Sequence, residues 1–345
     1  MSFLRSAGVA GTTLAALLTG GLTAAQAHAT APAAPAALTA AAPVEISTAF
    51  ELPGNRVYPE GVTADPRTGD LYAASFTDGT VFRMTHGNRV AETFLPAGAD
   101  GRHTANGLEA DRAGRLWVTD STRGVAVYDM RTRALLARFE VAGEEPRFVN
   151  DVAVGPDGSA YLTDSVRAVV YRVTPRQLAR ARGGRAPLTP YADLSGLPGP
   201  VAPGTYTLNG IVADPAGRYL LTADMTGGGL YRIDLAGRAT GATRAVRKVA
   251  LEGGDMVHAD GLELRSGTLW VVHNTVNAIS RWRVARDGSA ARVEKRVTDE
   301  ALQLPTTLAW HPDGLYVVRS QFDKGGPMGD GTPTLPFTVA LVRGL

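Results

Sequence analysis

Six recurrences of one short pattern predict an all-β fold, a six-bladed β-propeller with four-stranded antiparallel blades. Each recurrence has a polar anchor, a small or polar residue and an apolar run. The six are Glu60-Gly61-Val62, Asn106-Gly107-Leu108, Asn150-Asp151-Val152, Asn209-Gly210-Ile211, Asp260-Gly261-Leu262 and Thr306-Thr307-Leu308. Each continues through a Gly-containing turn into a second β-rich run, as in Leu71-Tyr72-Ala73, Leu116-Trp117-Val118 and Leu269-Trp270-Val271. Consecutive anchors lie about 44–59 residues apart, and four short strands with their turns need roughly 40–50 residues. The 40 Gly and 21 Pro exceed average usage and supply the turns that many short strands need. A solenoid or a pair of sandwiches would share the strand content, but neither predicts one anchor at this spacing without a capping repeat.

The elements follow in chain order. Arg5, a weakly apolar stretch from Ala7 to Ala25 and the small-residue patterns Ala25-Gln26-Ala27 and Ala27-His28-Ala29 read as a secretory signal over 1–29. Gly8, Gly11, Gly20 and Gly21 make that stretch a poor membrane span, so no stable membrane anchor is expected and the protein is read as secreted. Residues 30–44 are almost wholly Ala, Pro and Thr and read as a flexible leader. The propeller then occupies 45–345. Its opening strand, Glu45 to Leu52, is expected to pair with the last blade near Phe337 to Val342 and close the ring. The third blade is expected to carry an insertion from Gln177 to Gly199, with a short helix over Pro175 to Ala181 at its start.

Composition excludes several function classes. Among 345 residues there is no Cys, which removes disulfides, thiolate catalysis and Cys-ligated zinc or iron–sulfur sites. With 35 basic and 33 acidic residues, the net charge of +2 gives no nucleic-acid footprint. The expected partner is a small molecule, and the expected state is a monomer. Gly-x-Ser-x-Gly is missing and the His residues show no triad order. Asp120, Asp164 and Asp224 recur after the second strand and read as turn caps within blades.

In a propeller, the innermost strand of each blade lines the central channel, so the residue opening it comes to one channel mouth six times. Glu60, Asn106, Asn150, Asn209 and Asp260 would bring two carboxylates and up to three amide carbonyls together there. All-oxygen donors with two negative charges suit a hard divalent cation, Ca²⁺ first, with Mg²⁺, Mn²⁺ or Zn²⁺ as further possibilities. Taken singly, an Asn-Gly or Asp-Gly before an apolar run is a tight turn. The shared register, and the presence of Glu60 in it, favour the metal site. Thr306 is expected to line the site without ligating.

At these residues the chain resembles the family of senescence marker protein, gluconolactonase and luciferin-regenerating enzyme, and more distantly the paraoxonases. The resemblance rests on Tyr58-Pro59-Glu60-Gly61, Phe148-Val149-Asn150-Asp151, Leu208-Asn209-Gly210 and Ala259-Asp260-Gly261, in the family's order and at blade spacing. It implies a six-bladed propeller with a catalytic divalent cation, Glu60, Asn209 and Asp260 as ligands, and Asn150 as a ligand or a substrate and water contact. It also implies a hydrolase opening a lactone or related ester by water attack. Asp260 could take the water's proton, and His258 or His103 could act as a base or stand at the rim. Asn106, Arg147, Phe148, His103 and Tyr206 are expected to contact substrate, with Asp255 as a further wall. Relatives often place an Arg two residues before the Asn of the N-D motif, whereas Arg147 stands three before Asn150, and Asn106 stands where paraoxonases carry His. Gluconolactone specificity is therefore not carried over. The alternative readings are a non-catalytic binding or scaffold propeller with a structural calcium ion, and a strictosidine-synthase-like propeller, which would lack this ligand set.

Overall fold

The structure is a computed structural model and describes residues 43–197, 202, 204–235 and 245–345. The expected signal and nearly all of the leader lie outside these residues. Six antiparallel blades follow one another along the chain. Their inner strands are Pro59–Ala64, Leu108–Ala110, Val149–Val154, Leu208–Ala213, Ala259–Arg265 and Pro305–His311, in blades I to VI. Glu45–Leu52 pairs with Phe337–Arg343 as the outermost strand of blade VI, so the first strand completes the last blade. This pairing ties the two ends of the propeller chain together within one blade.

Two blades depart from the expected four strands. Arg185–Pro187 adds in parallel to Leu135–Glu140 of blade II, and Ala250–Glu252 adds in parallel to Ala290–Thr298 of blade V. Ala250–Glu252 lies where the chain passes from blade IV to blade V, whereas Arg185–Pro187 lies in the excursion between the third and fourth strands of blade III; each covers the outer edge of the blade it joins. The helix Pro175–Ala181 forms where expected. Thr174 caps it by accepting from Gln177 N, and the Gln177 side chain accepts from Thr174 N in return. The segment beyond it is not a simple excursion, because it supplies the fifth strand of blade II and then Thr189–Asp193, the outer strand of blade III.

Strand periodicity explains the core. Successive side chains point to opposite faces, so each strand feeds two inter-blade clusters. Leu116 and Val118 pack toward blade I with Tyr72 and Phe94, whereas Trp117 between them packs toward blade III with Phe139 and Leu162. Six such clusters fill the six blade interfaces. Trp117 and Trp282 are fully buried in them.

Candidate metal centre

A β-bulge places the anchor in five of the six blades. Pro59 pairs with Ser75, but the next pair is Val62 with Ala73, so Glu60 and Gly61 together oppose one residue. The same shift occurs between Val149 and Val152, Leu208 and Ile211, Ala259 and Leu262, and Pro305 and Leu308. A bulge breaks the alternation and re-aims one side chain, here the anchor at the channel mouth. Asn106 differs, since it stands two residues before its strand, Leu108–Ala110. Its backbone N–H donates to Thr119 O at 3.0 Å, which holds the same level.

The residue after each anchor explains the glycines. A Cβ on Gly61 would lie 2.2 Å from Asn106 O, on Gly107 2.8 Å from Asn150 O, on Gly210 2.3 Å from Asp260 O and on Gly261 2.9 Å from Thr306 O. Each glycine therefore lets the next blade's anchor carbonyl approach, which joins four of the six neighbouring anchor pairs by close backbone contact. Hydroxyls tie the ring further. Thr119 donates to Asn150 O at 2.5 Å, Thr163 to Asn209 O at 2.8 Å and Thr306 to Glu60 O at 2.7 Å. Thr306 thus serves the ring as a tie. Asp120, Asp164 and Asp224 accept from turn N–H groups, as expected of caps.

Inside the ring, polar atoms lack partners. Glu60, Asn106, Asn150, Asn209 and Asp260 are all buried. Asn150 Nδ2 donates to Asn209 Oδ1 at 2.9 Å and to Ser165 Oγ at 3.1 Å. Asp260 Oδ2 accepts from Asn274 Nδ2 at 2.8 Å. Glu60 Oε2, Asn150 Oδ1 and both amide atoms of Asn106 have no hydrogen-bond partner. A buried polar atom without a partner costs about 1–3 kcal/mol, so several such oxygens at one mouth fit a hard cation. Among the described residues, no three His, Cys, Asp or Glu groups cluster as a metal site. The candidate set instead combines the carboxylates with amide oxygens, an all-oxygen chemistry that suits Ca²⁺.

Electrostatics point the same way. Burial, then the neighbouring Asp260 and Asp151 charges, hold the Glu60 carboxyl well above its usual range. Burial pushes Asp260 up to about 8, opposed by the Asn274 hydrogen bond, with the Asp151 charge adding to the rise. Asp151 itself is pushed up to about 6 by burial, although Ile211 N and Val152 N donate to it. Carboxyls that favour their neutral forms when bare are stabilised as anions by a cation.

The remaining expected residues are placed as follows. His258 has a left-handed backbone, φ 61°, and its Nδ1 lies 2.8 Å from Thr275 Oγ1. Phe148 and Tyr206 meet edge to face, with centroids 4.9 Å apart. His103 is engaged at both ring nitrogens, by Thr122 Oγ1 and the Arg123 guanidinium. Arg147 donates to the carbonyls of Val141, Gly143 and Glu145, so its guanidinium is committed to its own loop. Asp255 accepts from Val257 N as a turn cap.

Sequence reading missed Asp151, Asn274, Ser165 and His273. Asn274 and Ser165 share a register, directly after the second strand of their blades, and that repeat could have revealed them. His273 is fully buried; its Nδ1 donates to Val257 O at 2.9 Å and its Nε2 accepts from Ser280 Oγ at 2.8 Å. It thereby fixes the carbonyl preceding His258. Below the anchors, the channel holds a cavity of about 120 Å³ whose lining includes Thr63, Glu109, Asp151 and Glu263. Burial raises Glu109 well above its usual range and pushes Glu263 up to about 7.

Comparison with known proteins identifies the architecture. The chain is similar to the calcium-binding protein regucalcin of Agrobacterium tumefaciens, with 19% identity, a TM-score of 0.57, and 87% of this chain and 97% of that chain covered. A candidate gluconolactonase gives 17% identity and a TM-score of 0.56, covering 87% and 91%. The major allergen Mala s 1 of Malassezia sympodialis gives 15% and 0.58, covering 85% and 95%. At these identities the likeness concerns the fold. No curated protein matches the chain. The family profile of the SMP-30/gluconolactonase/LRE-like region matches residues 58–318, a stretch that contains all six anchors, and the chain therefore belongs to the SMP-30/gluconolactonase/LRE-like family.

Proposed function

We propose that this protein is a secreted, metal-dependent hydrolase that opens a lactone or related ester at the channel mouth. The observation that carries the reading is the set of buried, unpartnered oxygens of Glu60, Asn106 and Asn150 beside Asp260. Family membership and the likeness to a candidate gluconolactonase support it. Glu60, Asn150, Asn209 and Asp260 would hold the cation. When bound, a divalent cation supplies Lewis-acid polarisation of a carbonyl and lowers the pKa of water.

The chain's own residues do the rest. Asn274 fixes Asp260 through Oδ2, which orients the carboxylate as a proton acceptor for water. In the tautomer whose Nδ1–H donates to Thr275 Oγ1, His258 Nε2 would be a second acceptor. Asn106, buried with both amide atoms unpartnered, would donate to a substrate oxygen through Nδ2.

The test is direct. Purified protein should contain a divalent metal by elemental analysis and should hydrolyse members of a lactone and aryl-ester panel. Turnover should be lost on chelation, restored by Ca²⁺, and lost in Asp260→Ala with the fold retained by circular dichroism. Bound metal without turnover on any panel member would favour the scaffold reading, and metal-free, inactive protein would defeat both.

A further inference from the structure

Phe76, Phe148 and Tyr206 form an arc of ring contacts at the channel mouth that continues into the core through the buried Phe322 and Tyr58, 7% and 1% exposed. Tyr58 and Phe322 have centroids 6.5 Å apart, Phe322 and Phe76 5.3 Å, Phe76 and Phe148 6.4 Å, and Phe148 and Tyr206 4.9 Å. All five stand at the anchor end of their blades. Tyr58 and Phe148 precede Glu60 and Asn150 by two residues, and Tyr206 precedes Asn209 by three. Phe76 follows the second strand of blade I, and Phe322 follows that of blade VI. Phe76 and Phe148 belong to blades I and III, so their contact reaches across blade II, whose anchor is the fully buried Asn106.

The arc is built, not incidental. Phe148 N donates to Asp164 Oδ1 at 3.0 Å, and Phe148 O accepts from Ser165 N at 2.9 Å. Phe76 N donates to Tyr58 O at 3.3 Å, and the Tyr58 hydroxyl donates to Lys324 O at 3.0 Å. Tyr58 itself has φ 43°, a conformation uncommon for an aromatic residue and one that persists only when its surroundings impose it.

Three nearby cations are committed elsewhere, while the exposed Arg56 lies over Tyr58 with its guanidinium 5.8 Å from the ring centroid. Arg147 and Arg167 donate to carbonyls of the 141–146 loop, and Arg102 donates to Gly79 O and Tyr128 Oη. Among the described residues, four of the five exposed large apolar side chains, Leu197, Tyr206, Met328 and Leu335, lie in loops at the anchor end of the ring, and the fifth, Val90, lies at the opposite end. Ring faces offer area and stacking but no partners for hydroxyls, and burying a hydroxyl without a partner is unfavourable.

We propose that the site takes lactones or esters bearing an apolar group, an alkyl chain or an aryl ring lying along the Phe76–Phe148 arc, in preference to polyhydroxylated sugar lactones. This rests on the lactonase reading above. The test compares kcat/KM of the metal-loaded chain for δ-valerolactone, its alkyl and phenyl derivatives, and glucono-δ-lactone. The phenyl and alkyl lactones should exceed glucono-δ-lactone by at least about 100-fold. Phe76→Ala and Phe148→Ala should each lower the phenyl-to-unsubstituted ratio about tenfold, and Phe148→Leu should lower it less, all with native circular dichroism. Glucono-δ-lactone turning over as well as the phenyl lactone, or a ratio unchanged in both alanine variants, would overturn the inference and leave the lactonase reading standing. A phenyl-substituted δ-lactam, titrated calorimetrically, separates the two ideas. If no lactone is hydrolysed but the lactam binds, and binds about tenfold more weakly to Phe148→Ala, the arc stands and the lactonase reading fails. Neither turnover nor lactam binding would overturn both.

Discussion

Asn150 donates its amide nitrogen to Asn209 Oδ1 at 2.9 Å, and its own Oδ1 is left buried without a partner. One hydrogen bond between neighbouring blades thereby orients an oxygen toward the channel axis. The second donor contact, to Ser165 Oγ at 3.1 Å, holds the amide in that sense. Asn150→Ala should weaken calcium binding roughly tenfold or more, read by calorimetric titration. An unchanged affinity would remove Asn150 from the ligand set.

The close backbone contacts between neighbouring anchors give a stability prediction. Gly210→Ala would place Cβ 2.3 Å from Asp260 O, and backbone cannot move aside as a side-chain tip can. The substitution should cost about 1–3 kcal/mol, measured by denaturant unfolding. A Cβ on Gly196 would meet nothing within 4 Å, so Gly196→Ala should be neutral or slightly stabilising. Equal effects at the two positions would contradict the close contact.

Proton and metal should compete at the mouth. Asp260 is raised to about 8 and Glu60 well above its usual range in the folded chain. Groups with raised folded pKa values bind more protons folded than unfolded, so their contribution is present below the unfolded carboxylate range and lost as pH rises toward about 8. From these groups, metal-free protein should lose stability between pH 5 and pH 8, and saturating Ca²⁺ should reverse that loss. Calcium binding at pH 7 should also release protons, seen as a dependence of calorimetric heat on buffer ionisation enthalpy.

His273 should titrate in the opposite direction. Burial is the main cause that lowers it to about 4, partly opposed by the hydrogen bond to Val257 O. Between about 4 and its unfolded value near 6.5, the unfolded chain binds the extra proton, so this contribution is full above the window and is lost as pH falls through it. The loss amounts to about 3 kcal/mol across the window. NMR should show a neutral imidazole at pH 5.5, and His273→Gln should flatten the acid limb of the stability profile relative to wild type. A charged imidazole at pH 5.5 would refute the assignment.

Much of the architecture was legible in the residues. The anchor register fixed the number and order of the blades, and period-two alternation in runs such as Leu116-Trp117-Val118 announced two-sided burial. The pairing of Glu45–Leu52 with the last strand followed from the need to close a ring. The parallel fifth strands at Arg185–Pro187 and Ala250–Glu252 were not legible. Three-residue segments carry no periodicity, and only the neighbouring blade's open edge decides whether they pair.

The site divides in the same way. Sequence alone determined which residue types recur at one register, hence that oxygen donors would meet at a channel mouth, and in what order. The tertiary structure decided which atom of each donor stays unpartnered, because that depends on contacts between blades. Asn150 to Asn209 is such a contact, whereas Asp260 to Asn274 is made within blade V, between its inner strand and the turn after its second strand. It also committed Arg147 to its own loop and joined Phe76 to Phe148 across a blade. Local spacing sets where a side chain starts, whereas partners such as Asn209 for Asn150 and Phe148 for Phe76 come from chain segments tens of residues away, and only packing of the blades into a ring brings them into contact.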